Sequence, residues 1–275
     1  MKLLGVKATG FKNCCDGFCM DFIAKSKKTS EDKEYELLEI DEGLYAYGTV
    51  GIVGKNASGK TSALELLDWC YDILSTFRLS GKKSDYHGIH LEVLFYEEGF
   101  IYKYVTQLDN SDTLEDRAVF LEQKLFRKKY YKTKLKQIME EEWLEKCHID
   151  GEVPEDFSIV FFVLKKSRIG ELFYDLTADG AEGYPATFKF MKLGDISPNI
   201  LTDILKIFDE NVTGLKQVDD KNYILTYQGA EKSFSNSELF NFLSSGTTKG
   251  INLYIVAAFS LKAGFDLIVD EIENH

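Results

Sequence analysis

The first part of the chain shows the alternation of apolar and polar residues that is typical of β-strands. Leu3 to Phe11 alternates throughout, and Phe18 to Ala24 predicts a second strand paired with it. The β-rich apolar run Tyr45 to Val53 predicts a strand that leads directly into a glycine-containing loop. His90 to Tyr96 and Phe100 to Leu108 predict a hairpin, because the intervening Glu-Glu-Gly is a turn sequence.

Helical periodicity marks several other segments. Apolar residues recur at helical spacing in Thr61 to Phe77, immediately after the glycine-containing loop. The charged stretch from Thr113 to about Cys147 is also helical in period, which predicts an inserted arm or lid. Pro198 predicts the first turn of a helix capped by Ser197, and Gly250 to Leu261 predicts another helix.

The remaining segments are shorter or less regular. Thr29 to Glu42 is charged and predicts a loop or a hairpin edge. Phe157 to Leu164 is strongly apolar and fits either a buried strand or part of a packed helix. Tyr223 to Tyr227 and Lys232 to Phe234 flank Gln-Gly and predict a hairpin. Phe265 to Val269 predicts a buried parallel strand that is covered on both faces.

Composition limits the class of protein. The 275 residues suffice for one large domain or two small ones with a substantial core. No stretch reaches the roughly 18 uncharged apolar residues that a membrane span needs, and the N-terminus has no signal-peptide pattern. We therefore expect a cytoplasmic protein with no membrane partner. The formal net charge of −12 argues against a surface that attracts nucleic acid as a whole.

One region departs from this acidic character. Seven basic residues lie between positions 124 and 136 and are followed by four glutamates; they are Lys124, Arg127, Lys128, Lys129, Lys132, Lys134 and Lys136. A long solvated helix with a charge gradient accounts for them. The alternative is a nucleic-acid or partner contact on a projecting element, and the sequence leaves both interpretations open.

Three of the five cysteines crowd together as Cys14, Cys15 and Cys19. Adjacent cysteines lack the C-x-x-C spacing of zinc sites, and no second Cys/His pair lies nearby. We therefore expect reduced, partly buried thiols rather than a metal centre.

Residues 54–61 fit the phosphate-binding pattern G-x-x-x-x-G-K-[ST] at every required position. In this pattern backbone N–H groups turn inward around phosphate oxygens, and the following helix contributes the positive end of its dipole. We expect Lys60 to bridge the β and γ phosphates of ATP and Thr61 to supply a hydroxyl ligand to Mg²⁺. The predicted nucleotide contacts here are Gly54, Lys55, Asn56, Ala57, Ser58, Gly59, Lys60, Thr61 and Ser62.

A second candidate site lies at the end of the predicted strand Phe265 to Val269, which Asp270 and Glu271 follow directly. Ligands of open parallel sheets bind at the carboxyl ends of the strands. We expect Asp270 to hold Mg²⁺ through water, and Glu271 to orient or deprotonate the attacking water. An apolar run that ends in Asp-Glu is common by itself, so the upstream phosphate loop is what favours the functional interpretation.

The third candidate is the sequence Leu-Ser-Ser-Gly-Thr at 243–247. Taken alone, it is a helix N-terminus with Ser and Thr caps. Such a turn also presents hydroxyl and N–H groups to an anion. Gly246 lies 24 residues before Asp270, where ABC-type ATPases carry their signature motif. The further predicted nucleotide contacts are Ser244, Ser245, Gly246 and Thr247.

Together the sequences GKNASGKT, LSSGT and LIVDEIENH resemble the SMC-like ABC ATPases. The resemblance is to bacterial AAA-type ATP-binding proteins related to the OLD (overcoming-lysogenisation-defect) family, and it is weakest between about 111 and 196. It implies an α/β fold: a P-loop ABC-type ATPase head with a mixed central sheet, an N-terminal antiparallel β-subdomain and an inserted helical arm or lid. The implied divisions are an N-terminal lobe at 1–110, the arm or lid at 111–196 and a C-terminal lobe at 197–275.

The same resemblance implies partners and further contacts. The stretch Gly-Phe-Lys-Asn at 10–13 is similar to one near the nucleotide in these proteins, so Lys12 and Asn13 are expected contacts. Two heads would face each other as a homodimer or higher oligomer, with Ser244 to Thr247 of one capping the γ-phosphate held by Lys60 of the other. Relatives often act in DNA repair or anti-phage defence, where the ATPase controls an effector. An ATP-gated DNA clamp is the alternative function.

Two features depart from the family pattern. No glutamine loop is recognisable, since Gln107 ends a predicted strand and Gln123 lies in the predicted arm. The sequence also ends shortly after Glu271, where the family continues, so we expect a longer polypeptide. Two other classes fit less well. The 184 residues between Lys60 and Ser244 are too many for a transporter ATPase subunit, and a P-loop kinase leaves LSSGT unexplained.

Overall fold

The computed structural model describes residues 1–25, 28–33, 35–79, 87–110, 118–132, 138, 145–149, 151–165, 169–175, 190–197, 199–219 and 221–272. The chain divides into two compact units, Met1–Ile169 and Gly170–His275. Within the described residues, no helix combines the length and the apolar character that crossing a membrane requires.

A six-stranded antiparallel sheet is the centre of the first unit. Its strands are β1 (Lys2–Thr9), β2 (Phe18–Asp21), β5 (Ile89–Glu97), β6 (Phe100–Asn110), β7 (Ala118–Lys129) and β8 (Glu145–Lys146). They lie in the order β2-β1-β5-β6-β7-β8. A separate hairpin pairs β3 (Leu37–Asp41) with β4 (Leu44–Tyr47). The predicted pairing of the first two strands and the hairpin of β5 and β6 are confirmed.

The core of this unit follows from the alternation of its strands. Leu91, Val93 and Phe95 occupy every second position of β5 and are fully buried, as is Tyr104 of β6. The hairpin of β3 and β4 packs through Leu44 into a cluster with Leu4, Leu94, Ile101 and Ile138. The described part of this unit also contains the helices α1 (Lys60–Ser75) and the short α2 (Val160–Leu164).

Among its described residues, the second unit includes three helices with defined bounds, a further helical segment at 190–193 and two small sheets. Its helices are α3 (Asn199–Phe208), α4 (Asn236–Phe242) and α5 (Ser245–Ala263). An antiparallel meander joins β10 (Val212–Gln217), β11 (Asn222–Tyr227) and β12 (Ala230–Ser235), which confirms the predicted Gln-Gly hairpin. Strands β9 (Glu171–Asp175) and β13 (Asp266–Asp270) pair in parallel, as predicted for the last strand. Ile268 of β13 is buried, but Leu267 and Val269 are only half-buried, so β13 is not covered equally on both faces.

The predicted helical arm from Thr113 to Cys147 is wrong where the structure describes it. Ala118–Lys129 forms β7, which pairs with the whole length of β6, and Glu145–Lys146 forms β8. The long edge of β6 offers a complete ladder of hydrogen-bonding groups, and β7 buries Val119, Phe120 and Leu125 on joining it. Lys124, Arg127, Lys128 and Lys129 therefore lie on a strand and not on a solvated helix, while Lys134 and Lys136 lie outside the described residues.

The predicted strand from Tyr45 to Val53 is much shorter in the structure. Strand β4 ends at Tyr47, where Gly48 N–H donates instead to the Glu36 carbonyl at 2.8 Å. Beyond this point no ladder partner is found among the described residues, and Val53 is 96% exposed. A β-rich sequence alone does not form a strand, because the pairing of its backbone groups supplies the stability. For Phe157 to Leu164, the helical alternative holds as α2.

Candidate functional site

Residues 54–59 form an exposed loop that ends at the start of α1. Gly59 is the residue before the helix and has a left-handed backbone, with φ of +91°, which glycine adopts without strain. The Ser58 N–H donates to the Lys55 carbonyl at 3.1 Å and closes the turn. In the part of the chain that the structure describes, no side chain caps this end of α1, and the positive end of its dipole is directed at the loop. This geometry suits a phosphate group.

Contacts across the loop explain why the phosphate-binding pattern requires Lys60 and Gly54. The Lys60 ammonium donates to the Gly54 carbonyl at 3.1 Å, so the lysine folds back over the loop. A Cβ atom at Gly54 would lie 2.3 Å from the Ser58 hydroxyl oxygen, so a side chain there would displace Ser58. Gly54, Ser58 and Lys60 therefore contact one another in the loop, as the motif predicts.

The two residues after the loop differ in their exposure. The Thr61 side chain is exposed in the first turn of α1, where its hydroxyl is available to a ligand. Ser62 is buried, so its side chain is directed into the protein rather than to the loop surface.

The turn at residues 10–13 is fastened to the same helix. The Phe11 ring is buried edge-on against Trp69 of α1, with ring centroids 4.5 Å apart. Such aromatic pairs contribute about 1 kcal/mol beyond the area they bury. The Lys12 ammonium forms an ion pair with Glu65, one turn earlier on α1. Asn13 then lies directly against Gly59, whose added Cβ would meet the Asn13 carbonyl oxygen at 3.4 Å. Lys12 and Asn13 thus lie beside the phosphate loop.

In the second unit, the LSSGT sequence is the N-terminus of α5. Ser244 caps the helix, since its hydroxyl accepts the Thr247 N–H at 3.1 Å. The Ser244 and Thr247 hydroxyl oxygens are also 2.8 Å apart. Ser244 and Ser245 are exposed, whereas the Thr247 side chain is buried. A Cβ at Gly246 would meet only the Ser244 oxygen, at 3.9 Å, so the first turn is open to a ligand.

The acidic pair lies at the carboxyl end of β13, as expected. The buried Asp270 carboxylate accepts the N–H of Glu271 at 2.9 Å. Glu271 itself has a left-handed backbone, with φ of +57°. For a residue with a side chain this conformation costs on the order of 1–2 kcal/mol, and such strain is concentrated at functional sites. The hydrogen bond that the Glu271 N–H donates to the Asp270 carboxylate supports that conformation at the end of the strand.

Comparison with known protein families decides the class. Residues 50–275 match the family described as "AAA domain, putative AbiEii toxin, Type IV TA system". The match covers most of the chain and includes the phosphate loop, the LSSGT helix and the acidic pair. The chain belongs to this AAA-domain family. It is therefore an AAA-type P-loop ATPase domain of mixed α/β structure. A comparison with curated protein sequences finds no match.

AAA-type ATPases generally bind ATP together with Mg²⁺. The loop fits such a ligand, because the Gly54 cradle has no space for a Cβ and Thr61 offers an exposed hydroxyl beside Lys60. Across the described ranges, no group of three or more His, Cys, Asp or Glu residues could hold a metal ion. Magnesium in a nucleotide site does not need such a group, since phosphate oxygens and water supply most of its ligands.

Gln123 is one of the two glutamines that the sequence offers as positions for a glutamine loop. In the structure it has a structural role. Its amide nitrogen donates to the Phe157 carbonyl at 3.0 Å. Its amide oxygen accepts from the Tyr104 hydroxyl at 2.7 Å and from the Ile159 N–H at 2.9 Å. These bonds fasten the segment before α2 to β6 and β7, so the amide is engaged inside the protein.

Three basic residues of β7 and the following turn have acidic partners. Lys124 lies 3.3 Å from Glu122, Arg127 lies 3.7 Å from Glu145, and Lys132 lies 2.8 Å from Glu42. These are exposed pairs of the kind that contributes roughly 0–1 kcal/mol to stability. Their effect on recognition is larger, because each carboxylate reduces the positive potential available to a polyanion.

Two features were not predicted from the sequence: the contact of Phe11 with Trp69, which holds the turn at residues 10–13, and the N-terminal cap of α4, the helix before LSSGT. Phe11 and Trp69 give no local signal of their contact, because 58 residues separate them. The cap of α4 could have been predicted, because Ser235 and Glu238 fit the S-x-x-E pattern of a capping box. In the structure Ser235 N–H donates to Glu238, and Glu238 N–H donates to Ser235, which fixes the start of α4.

Proposed function

We propose that this AAA domain is an ATP-hydrolysing head that associates with a second copy around ATP and thereby controls an effector. The observation that carries the proposal is the phosphate loop, in which Lys60 folds back to the Gly54 carbonyl at the N-terminus of α1. A loop of this geometry binds the phosphates of a nucleoside triphosphate through backbone N–H groups and one lysine.

The chain's own residues divide the work of hydrolysis. Lys60 neutralises charge on the β and γ phosphates, and Asn13 and Lys12 border the loop from the adjacent turn. Thr61 and Asp270 would hold Mg²⁺, which neutralises charge on the phosphate oxygens when it is bound. Glu271 orients the attacking water and accepts its proton. Its backbone, held by the Asp270 carboxylate, fixes the direction of that side chain.

The second copy supplies the cap in this proposal. Each chain carries a phosphate loop and a separate helix N-terminus at Ser244 to Thr247, and both are anion-binding features. A head-to-tail pair would bring the LSSGT helix of one copy to the γ-phosphate bound by the other. ATP would then hold the two copies together, and hydrolysis would release them. The openness of the first turn at Gly246 supports this role.

A defence role against phage is the setting that we propose for the effector. The sequence resembles ATPases of the OLD type, and the matched family carries a toxin of a type IV toxin–antitoxin system in its description. An ATP-controlled effector is consistent with both the resemblance and this description. The alternative, a DNA clamp, has less support because Lys124, Arg127 and Lys132 are paired with carboxylates.

Substitution of Glu271 by Gln tests the proposal. The amide cannot accept a proton from water, so we expect ATP hydrolysis to fall at least about 100-fold. ATP binding should persist, and the ATP-dependent dimer should become longer-lived. Single-turnover hydrolysis and analytical ultracentrifugation with and without ATP measure the two effects.

Glu231→Gln is the matched control, because Glu231 is an exposed glutamate of β12. It should behave as the wild type. Wild-type hydrolysis by the Glu271→Gln protein would show that another group activates the water. A wild-type protein that stays monomeric with ATP would contradict association around ATP.

A further inference from the structure

Two neighbouring thiols lie beside the phosphate loop. Cys14 and Cys15 follow directly after Asn13, whose carbonyl oxygen lies 3.4 Å from the position that a Cβ would take at Gly59 of the loop. Cys15 is exposed, Cys14 is half-buried, and both are free thiols. Neither of them takes part in the proposed hydrolysis, so the pair is available for a separate role next to the nucleotide site.

A tight turn connects these thiols to the loop. The Cys14 N–H donates to the Phe11 carbonyl at 2.9 Å and closes the turn that contains Lys12 and Asn13. Within this turn Lys12 has a left-handed backbone, with φ of +41°, which a residue with a side chain adopts only at a cost in energy. The buried Phe11 ring holds one end of the turn, and the Cys14 N–H holds the other. A change in the backbone at Cys14 therefore moves Asn13.

The surroundings of the two thiols determine which one reacts first. Burial raises the pKa of the Cys14 thiol, and the neighbouring Cys15 and Glu65 raise it further. Glu65 lies on α1 and also holds the Lys12 ammonium in an ion pair. Since the thiolate is the reactive form of cysteine, Cys14 stays protonated and unreactive at neutral pH. Cys15 is exposed, so it is the thiol that an oxidant in solution attacks first, with Cys14 next to it as the second thiol.

We propose that Cys14 and Cys15 form a disulfide on exposure to a peroxide and that this bond reversibly weakens ATP binding. The Cys15 thiolate attacks one oxygen of hydrogen peroxide and breaks the O–O bond, which gives a sulfenic acid and a hydroxide that takes up a proton to become water. The Cys14 sulfur then attacks the sulfenic sulfur, loses its proton and displaces a second water. The two thiols lose two electrons, and the peroxide gains them.

The spacing of adjacent cysteines makes such a bond easy to reverse. Consecutive Cα atoms are about 3.8 Å apart, whereas the Cα atoms of ordinary disulfides are about 4.4–6.8 Å apart. A disulfide outside its preferred geometry is reduced more readily, so small cellular thiols can restore the reduced pair. Closing the bond also twists the backbone between the two residues and moves the Cys14 N–H that closes the turn. Asn13 is then displaced from Gly59, and the phosphate loop loses that neighbour.

Titration of Mg·ATP into reduced and peroxide-treated wild-type protein tests the proposal, which rests on the proposed function because it concerns the same ATP site. We expect the affinity to fall about tenfold after peroxide, the effect of displacing one closely packed contact, and to return after dithiothreitol. Cys14→Ser and Cys15→Ser should each keep the reduced affinity after peroxide, since one partner of the bond is missing. Cys19→Ser is the matched control: it removes an exposed thiol of β2 and should remain as sensitive as the wild type.

Peptide mapping identifies the bond. Cleavage before Asp16 separates the pair from Cys19, and the peptide with Cys14 and Cys15 should be lighter by two hydrogen atoms and joined to no other peptide. Cys14→Ala repeats the measurement with an apolar residue at the half-buried position. A bond to Cys19 would overturn the proposal, as would equal sensitivity to peroxide of the wild type and the variants at positions 14 and 15.

Failure of this inference can be told apart from failure of the proposed function. If the reduced wild-type protein does not bind Mg·ATP, the proposed function itself is rejected. If the reduced protein binds Mg·ATP, and the protein that carries the Cys14–Cys15 bond binds it equally well, only the role of the two thiols is rejected.

Discussion

At Gly54 the side-chain position is already taken by another atom of the phosphate loop. An added Cβ would lie 2.3 Å from the Ser58 oxygen. Gly54→Ala should therefore rotate Ser58 out of place and weaken ATP binding about tenfold, a cost typical of inserting one methyl group into a closely packed site. Isothermal titration calorimetry with Mg·ATP measures the change.

Gly51→Ala is the control for this prediction. Gly51 is exposed, its backbone is not left-handed, and a Cβ there would have no neighbour within 4 Å. ATP affinity should stay at the wild-type value. Equal losses in both variants would mean that flexibility of the whole segment, and not the Ser58 contact, explains the glycine at 54.

A second residue-scale effect concerns Asp72 near the end of α1. Burial raises the pKa of this carboxyl to about 6. The folded protein then holds the proton more tightly than the unfolded chain, whose aspartates titrate near 3.9. Because of this group, the free energy of unfolding should fall as the pH rises from about 4 to about 6. Above about pH 6 Asp72 is charged in both states, and its contribution no longer changes with pH.

Asp72→Asn removes this charge. At pH 7 it should raise the free energy of unfolding by about 1 kcal/mol, after allowance for the solvent that reaches the half-buried side chain. It should also flatten the pH dependence between about pH 4 and pH 6. Urea denaturation at several pH values measures both, with the exposed Asp203→Asn on α3 as control. If Asp72→Asn and Asp203→Asn stabilised the protein equally, the gain would come from the lower net negative charge and not from the burial of Asp72.

At the scale of elements, the local sequence pattern predicts the strands and helices whose partners are adjacent in the sequence. The hairpin of β5 and β6 and that of β11 and β12 follow from alternation and a turn sequence. The phosphate loop and the two acidic residues follow from spacing. Elements that depend on distant partners do not follow in this way. Strand β7 is charged enough to resemble a solvated helix, and only the free edge of β6 selects the strand.

The segment before the phosphate loop also depends on pairing with other strands. Its β-rich sequence predicts a strand, but the pairing of β3 and β4 ends at Tyr47. The contacts that surround the loop also come from far along the chain, as Phe11 does with Trp69. Sequence therefore predicts the position of the loop and of the helix that follows it, but not the contacts that hold them in place.

Contact between α3 and α5 gives a prediction at this scale. An added Cβ at Gly250 would lie 2.2 Å from the Phe208 ring. Gly250→Ala gains about 1 kcal/mol from helix propensity but loses about 2 kcal/mol to overpacking, so it should destabilise by about 1 kcal/mol. In a Phe208→Ala background the clash is absent, and the same change should stabilise. Urea unfolding that shows equal effects in both backgrounds would contradict this account.

At the scale of the whole molecule, charge limits the kinds of partner. The net charge of −12 and the paired cations of β7 disfavour broad contact with nucleic acid. The features that we propose bind an anion are local, at the N-termini of α1 and α5. They are suited to a phosphate group rather than to a long polyanion. This distribution agrees with an ATPase domain whose ligand is a nucleotide.

Titration of Mg·ATP into the wild type and into Lys60→Ala tests the central claim most directly. Lys206→Ala is the control, since it also removes one positive charge but from an exposed position on α3. We predict saturable binding to the wild type and to Lys206→Ala, and none to Lys60→Ala, because Lys60 supplies the charge placed on the β and γ phosphates. Wild-type affinity in Lys60→Ala would contradict the assignment of residues 54–61 as the ATP site.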